Sequence, residues 1–366
     1  MLLAPAVWLT DGFVLYPDKR CVLRGSSQNK LCSSYTTDDS AAPLLYREQE
    51  RLLVERGILE AELMKNTATP LQSSVSKGTG TAKGFSSQSS VTKASDLKAA
   101  AKVHAKELSK NGVVRIDNIL TDDMADQLRE YVMELRKRSE EQVKSGEVKS
   151  RARFADVLLK ENRCDLTIPL EDEVVINALL HIIQKTPLTK TVSLTLGKDA
   201  GLYELSCLIS DPGSQRQVAH PDTPYGSDEH PVLYTCFMAL QEIDFDMGPT
   251  TWMPNTHTAE AHELFQNDVI NPTTKESPKD KLLRTKPSVL GVLPKGSCAI
   301  FDSRVIHCGG ANTSNTSRAL FYCSWKSPKV GYPGNPGSIR QELAGKYTIS
   351  SLEKELMSLQ KQAKKR

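Results

Sequence analysis

The sequence predicts an α+β protein in which a β-sandwich or barrel is supported by helices. Apolar residues recur at helical spacing in several stretches between residues 44 and 184. From Leu202 onward they fall instead into short runs suited to strands, punctuated by Gly, Pro and Asn. Helices first and many strands later is the order of an α+β chain rather than of alternating βα units. The 366 residues, 39% hydrophobic, suffice for one large domain or two small ones.

Taken in order, Leu45, Leu52, Leu53, Leu59 and Leu63 predict a helix over 44–65. Residues 66–95 hold thirteen Ser or Thr, several Gly and no acidic residue, the composition of a flexible linker. Residues 1–95 therefore read as a largely disordered N-terminal extension with one amphipathic helix. The compact domain, 96–330, opens with a helix over Asp96–Ser109 and a strand at 112–116. Thr121 then caps a helix reaching about Gln142, with Asp122 and Asp123 in the first turn where the dipole favours anions. Val174–Gln184 is another apolar helix. Strands are expected at Leu202–Ile209, Arg216–Ala219, Leu233–Leu240, Ser297–Phe301, Val305–Cys308 and Arg318–Ser324. The polar stretch His262–Lys286, with Asn271-Pro272 and Ser277-Pro278, reads as a long loop, either a lid or a surface insertion. Residues 331–366 read as a tail with a short basic helix, its end Lys364-Lys365-Arg366 solvated.

The 47 basic and 44 acidic residues leave a formal charge of +3, which gives no argument for a nucleic-acid partner. No run of about 18 apolar residues predicts a membrane span. Met1–Leu9 lacks a basic region and runs into Asp11, a poor signal peptide. The expected location is cytoplasmic. A plastid transit peptide is the alternative, opposed by Asp38, Asp39, Glu48 and Glu50. None of the eight cysteines forms a C-x-x-C pair, so buried free thiols in a reducing compartment are expected.

The chemistry concentrates in His220-Pro221-Asp222, His307 and Arg318. Two imidazoles and one carboxylate form the facial triad that holds Fe(II) in non-heme oxygenases and leaves its other face open. On an extended segment His220 and Asp222 face the same side. An isolated H-x-D is weak in a chain with seven histidines. His104 and His181 fall on helices as ordinary residues, while His230 and His257 compete for the metal. His307 opens a small-residue turn, His307-Cys308-Gly309-Gly310-Ala311-Asn312, that leads into the apolar run from Arg318. Pairing of the two strands as a hairpin would return Arg318, eleven residues after His307, toward the metal. Its planar fork suits a carboxylate; a surface arginine at a strand end is the alternative, and within an apolar strand following this turn it is the weaker one.

Together with Gly248-Pro249-Thr250-Thr251-Trp252-Met253-Pro254-Asn255-Thr256-His257, these pieces resemble the phytanoyl-CoA dioxygenase-like family of Fe(II)/2-oxoglutarate oxygenases. The middle piece resembles that family's P-G-S-H loop, with Asn255 and Thr256 in place of Gly and Ser. The resemblance covers roughly residues 98–326. It implies a double-stranded β-helix (jelly-roll, cupin-like) core, with His220, Asp222 and His307 as catalytic metal ligands. It further implies that Arg318 holds the distal carboxylate of 2-oxoglutarate and that O2 is the second co-substrate. Asp222 favours hydroxylation, desaturation or ring closure over halogenation, for which related enzymes carry a small residue there.

Along the strand after the H-x-D, Thr235 and Phe237 face one side and Tyr234 and Cys236 the other. One pair is expected to line the co-substrate pocket, and Thr235 with Phe237 is the pair taken here. Tyr203 and Ser206 are weaker candidates. Arg151, Arg153, Arg163 and Arg216 could bind an acidic group, although solvated charge is the commoner fate of such residues. The expected partner is a free small molecule, such as a natural-product precursor. The alternatives are an acyl-CoA or fatty-acid substrate, or a cupin-type metalloenzyme that uses no 2-oxoglutarate.

Overall fold

The computed structural model describes residues 42–65, 67–73, 94–226, 230–330 and 337–363, together with three short strands near the N-terminus. These are β1 (Val7–Leu9), β2 (Phe13–Leu15) and β3 (Cys21–Leu23), an antiparallel sheet of their own. The expected disorder of the N-terminal extension otherwise falls mainly on residues outside the described ones. Next come α1 (Ala42–Met64), β4 (Ala68–Pro70), α2 (Ala94–Asn111), β5 (Val113–Ile116) and α3 (Asp122–Lys144). They are followed by β6 (Phe154–Ala155), β7 (Arg163–Thr167), α4 (Glu173–Lys185), α5 (Leu188–Leu196), β8 (Gly201–Ser210) and β9 (Leu233–Ala239). The remainder is β10 (Thr251–Trp252), α6 (Ala259–Phe265), α7 (Pro278–Thr285), β11 (Ser288–Leu290), β12 (Cys298–Asp302), β13 (His307–Cys308), β14 (Arg318–Lys326) and α8 (Ile349–Ala363).

Two sheets build the core, and the α+β jelly-roll expectation holds. The large one runs β5-β12-β9-β14-β8-β7-β6, antiparallel throughout; the small one runs β13-β10-β11-β4. Alternation along the strands gives the large sheet two faces. Its outer face, with Leu205, Cys207, Ile209, Phe321 and Cys323, packs on apolar stripes of α3, α4, α5 and α8. Its inner face meets the small sheet through Phe237, Phe301, Tyr322 and Trp252. The rings stack at 5.1–5.5 Å between centroids, edge-on or tilted as their quadrupoles prefer. Thr121 caps α3 as expected, its side chain accepting from the Met124 amide.

Several expectations need correction. β13 and β14 do not pair as a hairpin: β13 joins β10 in the small sheet, and β14 lies between β8 and β9 in the large one. The connection crosses from one sheet to the other, which is what brings Arg318 inside. Arg216–Ala219 is not a strand, and only His220 bridges to His307. The stretch His262–Lys286 contains most of α6 and all of α7 rather than one loop, and Ser277 caps α7 through the Asp280 amide. Nor is the segment before residue 96 wholly an appendage, because β4 extends the small sheet through β11 and α1 lies against α7.

The C-terminal segment is likewise built into the body. α8 packs on α4 and buries Leu352 and Leu356 completely. Leu356→Ala is therefore expected to cost about 2–5 kcal/mol, as cavity-forming substitutions do. Urea unfolding measures it, and a loss below about 1 kcal/mol would return this helix to the status of a tail. Among the described residues six cysteines are free and five of them buried, and no helix is long and apolar enough to cross a membrane.

Candidate active site

His220 and His307 meet because their backbones pair. Each amide donates to the other's carbonyl at 2.8 Å, which places the two rings side by side with centroids 4.6 Å apart. The amides of Asp222 and Thr223 both donate to Ser303 O, at 2.8 and 3.0 Å, so the H-x-D segment is tied to the turn before β13. Asp222 Oδ1 then lies 3.8 Å from His220 Nε2 and 3.6 Å from His307 Nε2. The three side chains offer ligand atoms within 4.8 Å of one another, the one such group found among the described residues.

The ring orientation suits a metal. His220 Nδ1 lies 2.8 Å from Val218 O, and His307 Nδ1 2.9 Å from Val305 O. A ring nitrogen facing a carbonyl must carry the proton, so each Nε2 presents a lone pair toward Asp222. Burial, and then the neighbouring His307, push the His220 imidazole down to about 4. It is neutral at pH 7, as a ligand must be. Phe301 stacks against His307 at 5.0 Å and closes one side of the site. His262 fixes the turn beneath: it accepts from the Tyr225 amide, so its Nε2 donates to Arg304 O at 2.7 Å. His257 is turned away, with Nε2 3.3 Å from Ser109 O, and neither it nor His230 joins the triad.

Arg318 opens β14 and is fully buried. Its register partner Ser210 also pairs with Arg163 of β7, so one serine stands between two guanidinium groups. Arg318 donates to Gly248 O and, at 3.1 Å, to Ser210 Oγ, while its Nε has no partner. Arg163 donates to Ser210 Oγ at 3.2 Å and to Gln215 O at 2.8 Å. Every one of these acceptors is neutral. Burial pushes Arg163 down to about 10; burial, with Arg163 beside it, pushes Arg318 down to about 9. Two buried cations without an anion form a receptor for one. Gly309 and Gly310 face this corner: an added Cβ would meet Gln217 Oε1 at 2.6 Å, or the Gly248 backbone at 2.9 Å.

Thr235 and Phe237 both face inward, but not to the arginines. Thr235 pairs with Ser324, six residues along β14 from Arg318, which is about 20 Å at strand rise. The structure therefore does not bring Thr235 to Arg318. Phe237 stands against Tyr322 and Phe301, in the wall beside the metal ligands. Arg163, a minor candidate in the sequence, is buried beside Arg318, with the Ser210 hydroxyl between the two guanidinium groups.

Apart from Ser206, sequence reasoning missed the polar interior beyond Phe237. Asp165 accepts from the hydroxyls of Ser206, Tyr322 and Ser338 at 2.5, 2.7 and 2.7 Å, and burial pushes its carboxyl upward despite them. Ser324 donates to Glu204, whose carboxyl burial pushes well above the usual range. The available signal was alternation: Arg163, Asp165 and Thr167 put polar groups at every second position of β7, and Glu204, Ser206 and Ser210 share one face of β8, interrupted only by Leu208.

A sequence profile described as phytanoyl-CoA dioxygenase (PhyH) matches residues 108–320, more than half of the chain. No curated protein sequence matches. Among solved structures, the chain is similar to the non-heme alpha ketoglutarate dependent epimerase SnoN from nogalamycin biosynthesis, at 17% identity over 63% of this chain and 84% of that one, TM-score 0.44. It is also similar to the carbocyclase SnoK from the same biosynthesis, at 16% identity over 62% and 83%, TM-score 0.44. AviO1 from Streptomyces viridochromogenes matches at 14% identity over 63% and 97%, TM-score 0.45.

Proposed function

Because the chain belongs to the phytanoyl-CoA dioxygenase family, we propose that His220, Asp222 and His307 hold Fe(II) and that Arg318 and Arg163 receive the carboxylates of 2-oxoglutarate. The chain is an Fe(II)/2-oxoglutarate-dependent oxygenase of small molecules. The finer reading is oxidation of an unactivated C–H bond, by hydroxylation, desaturation or ring closure, with release of succinate and CO2. The observation that carries it is the pair of buried, anion-free guanidinium groups in the same interior as the triad.

Iron with 2-oxoglutarate and O2 supplies the oxidising chemistry; the chain supplies position and dryness. Val218 and Val305 hold both imidazoles in the ligating tautomer. Arg318, clamped between Gly248 O and Ser210 Oγ, offers its remaining donors to a carboxylate without having to reorganise. Phe237, Phe301, Tyr322 and Trp252 exclude water from one side. Asp165 and Glu204 leave the far interior rich in hydrogen-bonding groups, which suits a polar small molecule better than a bare alkyl chain. A three-histidine site without 2-oxoglutarate lacks support, since neither His230 nor His257 approaches the triad.

The test is anaerobic reconstitution with Fe(II) and 2-oxoglutarate, then O2 and a panel of amino acids, free acids, acyl-CoA esters and natural-product precursors, with succinate as readout. Succinate that depends on His307 and rises with one panel member is the expected result. Folded, iron-loaded protein that neither releases succinate nor binds 2-oxoglutarate would overturn the reading.

A further inference from the structure

We propose that Glu60 is a positioning residue for the metal centre, and that α1 is a working part of that centre although it lies outside the family-matched residues 108–320. The proposal rests on the iron reading above. Residues 216–219 lead directly into His220 and run between α1 and the His307–Cys308 strand, without being a strand themselves.

His220 pairs with His307 across the small sheet's edge through both its amide and its carbonyl. The preceding amide, Ala219 N–H, is buried and has α1 for its neighbour, so it must find an acceptor there or lose a hydrogen bond. Glu60 supplies it: its Oε2 accepts from Ala219 N at 2.5 Å. The glutamate is itself completely buried. Its other oxygen accepts from Arg56 Nε at 3.0 Å, and Lys279 Nζ of α7, also fully buried, lies 3.6 Å away. Arg56 continues to Asp280 at 2.8 Å, so the carboxylate is fixed from two helices before it reaches the metal loop. A bond from a carboxylate to an amide is stronger than one between neutral groups.

The approach of α1 is selective. Gly57 faces the loop, and a Cβ there would lie 2.9 Å from Arg216 O. The Arg216 guanidinium in turn reaches Met64 Sδ of α1 at 3.5 Å and Cys308 Sγ, next to His307, at 3.1 Å. Both histidine ligands are thus backed by contacts from the same helix. Geometry held to about 0.5 Å is what a metal site needs, and outer contacts of this kind typically govern 10–100-fold in metal affinity.

The experiment uses the full chain and two readouts besides activity: hydrogen exchange at the Ala219 amide in metal-free protein, and anaerobic Fe(II) titration followed by the absorption of the Fe(II)–2-oxoglutarate complex. Glu60→Ala is expected to speed exchange at Ala219, weaken Fe(II) binding by about tenfold or more and shift that absorption. Glu60→Gln keeps an oxygen acceptor and should recover most of the affinity. Arg56→Ala, which loosens the clamp but leaves the acceptor, should lower thermal stability and weaken Fe(II) binding in the same direction as Glu60→Ala but by less. Gly57→Ala pushes the helix off the loop without touching Glu60, and decides the matter if Glu60→Ala does not fold; weaker Fe(II) binding is expected. Folded Glu60→Ala or Gly57→Ala with wild-type Fe(II) affinity and unchanged absorption would overturn the proposal alone. A wild-type protein that binds no Fe(II) would overturn the metal reading and this proposal with it.

Discussion

Asp222→Ala is expected to lower iron-dependent 2-oxoglutarate decarboxylation by about a thousandfold or more, some 4 kcal/mol in the barrier, while the protein stays folded. Asp222 carries the one negative charge of the triad, and its Oδ1 lies within 3.8 Å of both imidazoles. Its removal leaves two neutral ligands for a dication. The fold has little reason to suffer. The side chain is 35% exposed, and the contacts that tie this segment to Ser303 run through the Asp222 and Thr223 amides, which alanine keeps. Each histidine is oriented by its own backbone carbonyl neighbour and does not depend on the carboxylate. Surface-level stability changes of about 0.5 kcal/mol are therefore expected in the metal-free protein. Fe(II) titration, urea unfolding and succinate release measure the three quantities. Decarboxylation within tenfold of wild type would remove Asp222 from the ligand set.

What could be read in advance followed from how local each signal was. Periodicity gave α1, α2, α3 and α4, because an apolar stripe against one neighbour leaves a repeat in the sequence. The grouping of His220, Asp222 and His307 was legible because three candidate ligands in that order are rare by chance; the burial of Arg318 was not, since the expected hairpin is absent. α5 was not read: Leu188, Val192 and Leu196 keep helical spacing, but the residues between are largely Thr and Ser, which favour other conformations. There the hydroxyls of Thr191, Ser193 and Thr195 bond back to carbonyls four residues earlier, and burial decides for the helix. The pairing of β13 with β10 rather than with β14 depends on contacts more than fifty residues apart, which no local turn discloses. Glu60 is the extreme case: its partner Ala219 lies 159 residues away, and nothing in a leucine-striped helix distinguishes one glutamate from its neighbours.

The same logic of long-range placement makes Arg318 a charge that the fold holds at a cost, and Arg318→Met is expected to separate stability from binding. Without ligand, the guanidinium is fully buried against Gly248 O and Ser210 Oγ, with Nε unpartnered and Arg163 beside it. Burial and then Arg163 push it down to about 9, below its unfolded value, so the charged folded form is the penalised one. The penalty is present at neutral pH and fades only as pH rises through that value. Methionine is unbranched and adaptable and fills most of the same volume without the charge. The ligand-free variant is therefore expected to be about 1–3 kcal/mol more stable than wild type, in the range found when buried ions give way to apolar groups. With 2-oxoglutarate at about 1,000 times its dissociation constant the order should reverse, because wild type gains about 4.1 kcal/mol and the variant nothing. Thermal unfolding with and without 2-oxoglutarate reads both. Arg163→Met should move in the same direction by less, since Arg163 keeps some exposure and more carbonyl partners. If ligand-free Arg318→Met is instead destabilised by more than about 2 kcal/mol, the loss matches that of a broken buried hydrogen-bond network, and the arginine serves to join β14 to the Gly248 turn. A crossing of the two stability curves can arise only if the charge is kept buried for an anion that the fold itself does not provide.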